Sequence, residues 1–295
     1  MTHSQTDVIG WDINIEPKEG LFHINLREIW KFRDLYSLLV KRNIIVQYKQ
    51  TILGPAWYII QPLTTVLMYM VIFGGIAGIP TDGVPQPLFY LSGICLWQYF
   101  ASCLTNTSNT FVNNAGIFGK VFFPRLIMPL ADITSNLLRF SIQFVLFLIV
   151  YVFFSIMSKT GAAHFSWYAC LFPILILETA GIAFGIGTII SALTTKYRDL
   201  RILFDFVIQL WMYATPIVYP ISQAQGKTFM GISLYNLMCL NPITPIIETF
   251  KYGFLSSGTF IGWGWIVYSF IFMSLSIIVG IAIFNRVQKN FMDTI

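Results

Sequence analysis

Six stretches of this chain stay apolar for about the 20 residues that an α-helix needs to cross a bilayer core. They lie at 56–76, from 88 to the polar run 105–110, and at 133–157, 167–193, 202–219 and 261–284. In hydrocarbon every backbone polar group must find its partner inside the protein, so these stretches are read as spanning helices. Only 11% of the residues are charged, against about a quarter in soluble domains. The four cysteines (Cys95, Cys103, Cys170, Cys239) are scattered without a C-x-x-C spacing and read as small packing residues. The first twenty residues carry Asp7, Asp12, Glu16 and Glu19 and no apolar core, which argues against a cleavable signal peptide.

The expected architecture is an all-α integral membrane protein with six transmembrane helices per protomer. Residues 1–25 form a polar tail, and 26–55 an amphipathic interface helix with the approach to the first span. The six-span domain covers 56–284, and 285–295 is a polar C-terminal tail. Gln61-Pro62 interrupts the first span, and IPTDGVPQP at 79–87 makes a tight outer turn. Pro220, Gly226, Gly231, Pro242 and Pro245 divide 220–256 into two pieces too short to span, which predicts re-entrant or interfacial helices on the outer face. Lys and Arg number fourteen in the N-terminal region, the 113–129 loop, the 194–201 turn and the C-terminal tail; three, Lys159, Lys227 and Lys251, fall in the other loops. That asymmetry predicts both termini in the cytoplasm.

Over 26–46, Ile29, Trp30, Phe32, Tyr36, Leu39, Val40 and Ile44 share one helical arc with Leu26, and Arg27, Lys31, Asp34, Lys41 and Arg42 fall opposite. Such a helix lies in the membrane surface, or else packs as a soluble helix on a partner. The stretch NNAGIFGKVFFPRLIMP at 113–129 is a basic connection with more large apolar groups than a solvated loop needs. It is either a docking element for something outside the membrane or a loop whose phenylalanines dip into the headgroups.

Catalytic signatures are missing. GIFGKV at 116–121 lacks the G-x-x-x-x-G-K-[ST] spacing, and neither H-E-x-x-H nor G-x-S-x-G occurs. The intramembrane charges are Asp132, Arg139, Glu178 and Asp205. They serve a conduit or relay, or they pair between spans and snorkel at span ends. Tyr58, Tyr69, Tyr90, Trp97, Tyr99, Trp211, Tyr213 and Tyr219 lie in the first, second and fifth spans, with Phe89 and Phe100 beside them. They line a path for sugar rings, or they anchor helices at the interfaces.

Seven segments in series carry a resemblance. YKQTILGPAWYIIQP (48–62), LSGICLWQYF (91–100), NNAGIFGKVFFPRLIMP (113–129), KYRDLR (196–201), TPIVYP (215–220), LNPITPIIETFK (240–251) and the closing NRVQKNFMDTI appear in the order found in one family. From residue 26 onward the chain resembles the transmembrane permease subunits of type 2 ATP-binding-cassette exporters, in the branch exporting O-antigens, capsular polysaccharides and teichoic acids. The resemblance implies a homodimer with two copies of a separate ATPase subunit that carries ATP and magnesium, with no cofactor or metal on this chain. It implies that Asn114, Phe118, Lys120, Phe123, Pro124 and Arg125 couple to the ATPase, and that the tyrosines and tryptophans above line the conduit. Lys41, Arg42 and Lys49 would meet the pyrophosphate of a lipid-linked glycan at the cytoplasmic entrance. Two departures stand out: Leu126 follows the Phe-Pro-Arg where members often have an acidic residue, and Arg42-Asn43 replaces a common Arg-Asp. The same-family alternative is an exporter of a small hydrophobic compound or lipid. A secondary transporter or a membrane transferase is the remoter one, and nothing suggests a nucleic-acid partner.

Overall fold

Every apolar stretch folds into helix, but the boundaries differ from those the hydropathy suggests. The structure, a computed structural model, describes residues 26–49, 51–118, 123–157, 165–197, 199–256, 258 and 260–290. Its helices are α1 (Leu26–Lys31), α2 (Arg33–Tyr48), α3 (Trp57–Tyr69), α4 (Gln86–Ser108), α5 (Thr110–Phe118), α6 (Ile127–Met157), α7 (Phe172–Lys196), α8 (Leu200–Tyr213), α9 (Leu234–Cys239), α10 (Ile243–Leu255) and α11 (Trp263–Asn290). A two-stranded hairpin, β1 (Thr228–Phe229) and β2 (Ile232–Ser233), precedes α9.

Five helical runs are long and apolar enough to cross a membrane: Gly54–Ile76, Gln86–Ser108, Ile127–Met157, Trp167–Thr195 and Trp263–Val287. The fifth expected stretch, 202–219, is helical only as far as Tyr213. The 14 residues of α8 rise about 21 Å, short of a core about 30 Å thick. The cause is local: Pro216 removes a backbone donor, and the residue before a proline avoids the helical region. Pro62, by contrast, does not break α3. The Thr64 and Thr65 hydroxyls donate to the Ile60 and Gln61 carbonyls at 2.8 and 2.9 Å, and the run widens into a π-helix at Met70–Ile76.

α4 is the axis of the bundle. It is the least apolar of the five runs and the most buried, since polar groups on a span must face protein rather than lipid. Leu88, Tyr90, Cys95, Phe100, Cys103 and Leu104 are all fully enclosed. Gln98 accepts from Gln143 of α6 at 2.6 Å, and Thr194 of α7 donates to the Ser108 carbonyl at 3.2 Å. α7 and α11 pack closest of all. A Cβ on Gly185 would lie 2.6 Å from the Ser276 carbonyl carbon and 2.7 Å from the Ile277 nitrogen. Gly181 and Gly185, four apart, therefore let α11 approach at backbone distance.

The two ends are built differently. At one end, Phe144, Phe147, Phe172, Phe250 and Phe254 join α6, α7 and α10 through ring contacts such as the 4.3 Å stack of Phe144 on Phe172. At the other, basic end, a second core joins α2, α5, the start of α6 and the last turns of α11.

Candidate functional site

The segment predicted to dock is mostly helix. α5 runs to Phe118, and the chain re-emerges at Phe123 to enter α6, with Ile127 N–H donating to the Pro124 carbonyl at 3.0 Å. Lys120 lies outside the described residues. Phe118 and Phe123 are 2% and 5% exposed. Their rings lie 5.9 Å apart, and Phe118 meets Phe111, which stacks on Phe284 of α11 at 4.5 Å. Asn114 is buried too, its amide donating to the Thr110 carbonyl at 3.0 Å. The apolar surplus of this segment thus fastens it to the bundle. Pro124 and Arg125 are the members with partial exposure. The Arg125 guanidinium lies 5.4 Å from the Phe118 ring centroid, and burial pulls its pKa below the ordinary arginine value.

The N-terminal helix is interrupted at Phe32, between α1 and α2. Its apolar arc is divided between two neighbours. Leu39 is buried in the second core, with Ile29, Phe32, Tyr36 and Val40 packed around it, and Tyr36 bonds to the Thr134 hydroxyl. Trp30, Leu38 and Ile45 stay exposed along another face, at 70%, 60% and 58%. Arg42 donates through Nε and Nη2 to the Asn43 side-chain oxygen at 3.3 and 3.1 Å, and Asn43 donates to Asp132 of α6 at 2.7 Å. Asn43 is therefore the bridge between Arg42 and Asp132. Lys41 and Lys49 are exposed, and Lys41 and Arg42 line a surface depression of about 490 Å³ with Leu38 and Ile45.

The predicted conduit aromatics separate into two groups. Tyr58, Tyr90, Trp97 and Tyr99 are buried inside the protomer, at 7%, 0%, 5% and 3% exposure. Tyr58 lies under the Arg139 guanidinium at 4.8 Å, and Arg139 also donates to Gln61 at 3.0 Å. Arg139 is thus tied to the first apolar run. Tyr69, Trp211 and Tyr219 are partly exposed, and Tyr213 is 53% exposed. Trp211 bridges the groups: its ring meets Trp97 and Phe100 at 6.5 and 5.2 Å. Its Nε1 donates to Asn241 at 3.0 Å, and Asn241 donates to the Thr215 hydroxyl at 2.8 Å. Tyr219 donates to the Tyr213 carbonyl at 2.9 Å.

One constellation escaped the sequence reading. Glu248 and Lys251 of α10 form an ion pair of 3.2 Å with side chains 5% and 3% exposed. Lys251 also donates to the Pro216 carbonyl and sits 4.1 Å from the Phe89 ring centroid. Burial raises the Glu248 pKa and lowers that of Lys251, and each is partly restored by the other. The pair fastens the non-helical residues after α8 to α4 and α10. Its signal was the E-x-x-K spacing on one helical face in a segment otherwise nearly free of charge.

The chain is mostly helical, with five helical runs long and apolar enough to cross a membrane. The chain belongs to the ABC-2 type transporter membrane family, which it matches over residues 34–255. It is similar to the O-antigen export system permease protein RfbA of Klebsiella pneumoniae, 29% identical over 260 residues that cover 88% of this chain and 94% of the relative. RfbA of Myxococcus xanthus is 24% identical over 230 residues, 77% of this chain and 82% of the relative. The polysialic acid transport protein KpsM of Escherichia coli is 19% identical over 256 residues, 85% and 92% of the two chains.

Proposed function

We propose that this protein is the membrane subunit of an ATP-driven exporter that moves a lipid-linked polysaccharide out of the cytoplasm across the bacterial inner membrane. The observation that carries the reading is the near full-length match to permeases named for O-antigen export and polysialic acid transport. Two copies of the chain assemble with two copies of an ATPase that binds ATP and magnesium. α8 and the non-helical residues 214–220 together complete a sixth crossing, which leaves both termini cytoplasmic. Support comes from the position of this segment along α4: Trp211 lies against Trp97, and a Cβ on Gly93 would meet Ile217 side-chain atoms at 3.1 Å. α9 and α10 then form the re-entrant elements at the outer face.

The ATPase docks on the 113–129 segment, with Lys120, Pro124 and Arg125 among its contacts. Asn114, Phe118 and Phe123 carry the displacement of that segment inward. Tyr69, Trp211, Tyr213 and Tyr219 offer ring faces to the passing glycan, backed by Tyr58, Tyr90, Trp97 and Tyr99. Lys41, Arg42 and Lys49 meet the pyrophosphate of the carrier at the cytoplasmic side.

The test is affinity purification of the chain from its own membranes in mild detergent. An ATP-hydrolysing partner at equal stoichiometry is expected, and Lys120→Ala with Arg125→Ala should reduce its recovery while permease yield is unchanged. Recovery of the chain alone across several detergents would defeat the reading.

A further inference from the structure

Arg139 is a charge without a counter-charge. It lies inside α6, 12 residues from the Ile127 end and 18 from the Met157 end, where an ionised side chain is costly unless protein, water or an opposite charge meets it. Among the described residues no carboxylate pairs with it. Its partners are neutral: Nη2 donates to the Gln61 side-chain oxygen at 3.0 Å, the Tyr58 ring centroid lies 4.8 Å away, and Nε is enclosed without an acceptor. The buried tyrosine covers one face of the guanidinium and so fixes the direction of the edge that bears its N–H groups.

The open side of this pair suits an anion. The Arg139–Gln61 bond is exposed. With its oxygen turned to Arg139, Gln61 keeps an amide nitrogen that donates to no group among the described residues. A guanidinium edge beside a primary amide is the donor set of a phosphate site. The first run, Gly54–Ile76, has 23 residues, little more than the about 20 that the hydrocarbon core requires. Gln61, seven residues in, therefore lies inside that core whichever end takes the excess. Ile60 and Leu138, next to the pair in sequence, are 37% and 43% exposed, so apolar surface borders it and the ligand is an amphiphile. The position relative to the entrance cations is set along α6. Arg42 is tied through Asn43 to Asp132, and Arg139 follows Asp132 by seven residues, two turns and about 10 Å along the same helical face, away from the basic end.

We propose that Arg139 and Gln61 form a second phosphate site, inside the membrane, which receives the pyrophosphate of the lipid-linked cargo after it leaves Lys41, Arg42 and Lys49. The proposal rests on the export reading and adds to it a residue that carries the cargo's charge across the hydrocarbon. The full chain, with a benzophenone amino acid in place of Leu138, is reconstituted in phosphatidylcholine nanodiscs. It is illuminated with a radiolabelled polyprenyl diphosphate, the matching polyprenol or radiolabelled phosphatidylglycerol. The diphosphate should label the chain roughly tenfold more than the alcohol or the phospholipid, the scale of one hydrogen bond to a charged group. Arg139→Gln should bring diphosphate labelling down to that of the alcohol, and Arg139→Lys should keep most of the preference, with wild-type yield in both. Equal labelling of the wild-type protein by diphosphate and alcohol would overturn the proposal whatever the variants do, and so would a preference that survives Arg139→Gln. Labelling by phosphatidylglycerol equal to that by the diphosphate would make this a bilayer-lipid site, and crosslinking chiefly to a second copy of the chain would make it an interface between protomers; either result also overturns it. Recovery of the ATPase is scored separately on chain purified from its own membranes. A recovered ATPase with no diphosphate preference defeats this site alone, whereas an absent ATPase defeats the export reading beneath it.

Discussion

Replacing Lys251 by methionine keeps most of the side-chain volume and removes the ammonium group. The variant leaves the Glu248 carboxylate, 5% exposed, without its cation, and the Pro216 carbonyl without the donor that Lys251 gives it. Removing one member of a buried ion pair costs ~3–5 kcal/mol, chiefly because the survivor stays charged in a medium that cannot solvate it. The double variant Glu248→Leu, Lys251→Met removes both charges and leaves only the carbonyl unpaired, a loss of ~1–3 kcal/mol. The double variant should therefore be more stable than the single by about 2 kcal/mol, roughly thirty-fold in the unfolding equilibrium. Equilibrium unfolding in mixed micelles with increasing dodecyl sulfate measures both. A single variant that loses ~1 kcal/mol or less, against the buried-pair figure, would show that the pair folds in its neutral form and that Coulomb attraction contributes little. A double variant as unstable as the single would place the loss in the Pro216 contact and refute the charge argument.

Three further outcomes follow from the packing. Gly185→Ala drives a methyl group into the α11 backbone, 2.6 Å from the Ser276 carbonyl carbon; it should cost ~1–3 kcal/mol in the same unfolding assay, whereas Gly116→Ala, with open space around it, should cost far less. Phe284→Ala removes a fully buried ring stacked on Phe111 at 4.5 Å; it should cost ~3–5 kcal/mol and speed tryptic cleavage at Arg125. Asn43→Leu strips Asp132 of its 2.7 Å donor and Arg42 of its acceptor; a loss of ~1–3 kcal/mol is expected, and unchanged stability would mean that water takes over both bonds.

Five of the six expected spans were legible because hydropathy over twenty residues reports the solvent directly. The burial of α4 was legible in principle as well, since Ser92, Gln98, Thr105 and Asn106 make it a poor partner for lipid. What a one-dimensional pattern could not say is which apolar groups face protein. The sequence left Phe118 and Phe123 as docking groups or headgroup anchors; in the fold Phe123 meets Phe118, Phe118 meets Phe111 and Phe111 stacks on Phe284, a chain of contacts that depends on helices far apart in sequence meeting at one end. Arg42 and Asn43 were similarly ambiguous until Asp132 stood opposite them. Two signals were overlooked rather than absent. GIAFG at 181–185 is a G-x-x-x-G spacing that announces a close helix contact. Thr215-Pro216 marks the end of α8 within the apolar stretch 202–219.

The enclosure of α4 also bears on how the chain is made. α4 leaves the ribosome after α3 and before α6, α7 and α10, the helices that later surround it. At that moment it is the least apolar of the five crossing runs, with Gln98 still waiting for Gln143. Its stay in the lipid is therefore provisional until synthesis has passed α7, and a pause between the two leaves exposed amides in hydrocarbon. Truncated or slowly translated chains should be recognised at this helix first, which makes the axis of the finished bundle the weakest point of the nascent one.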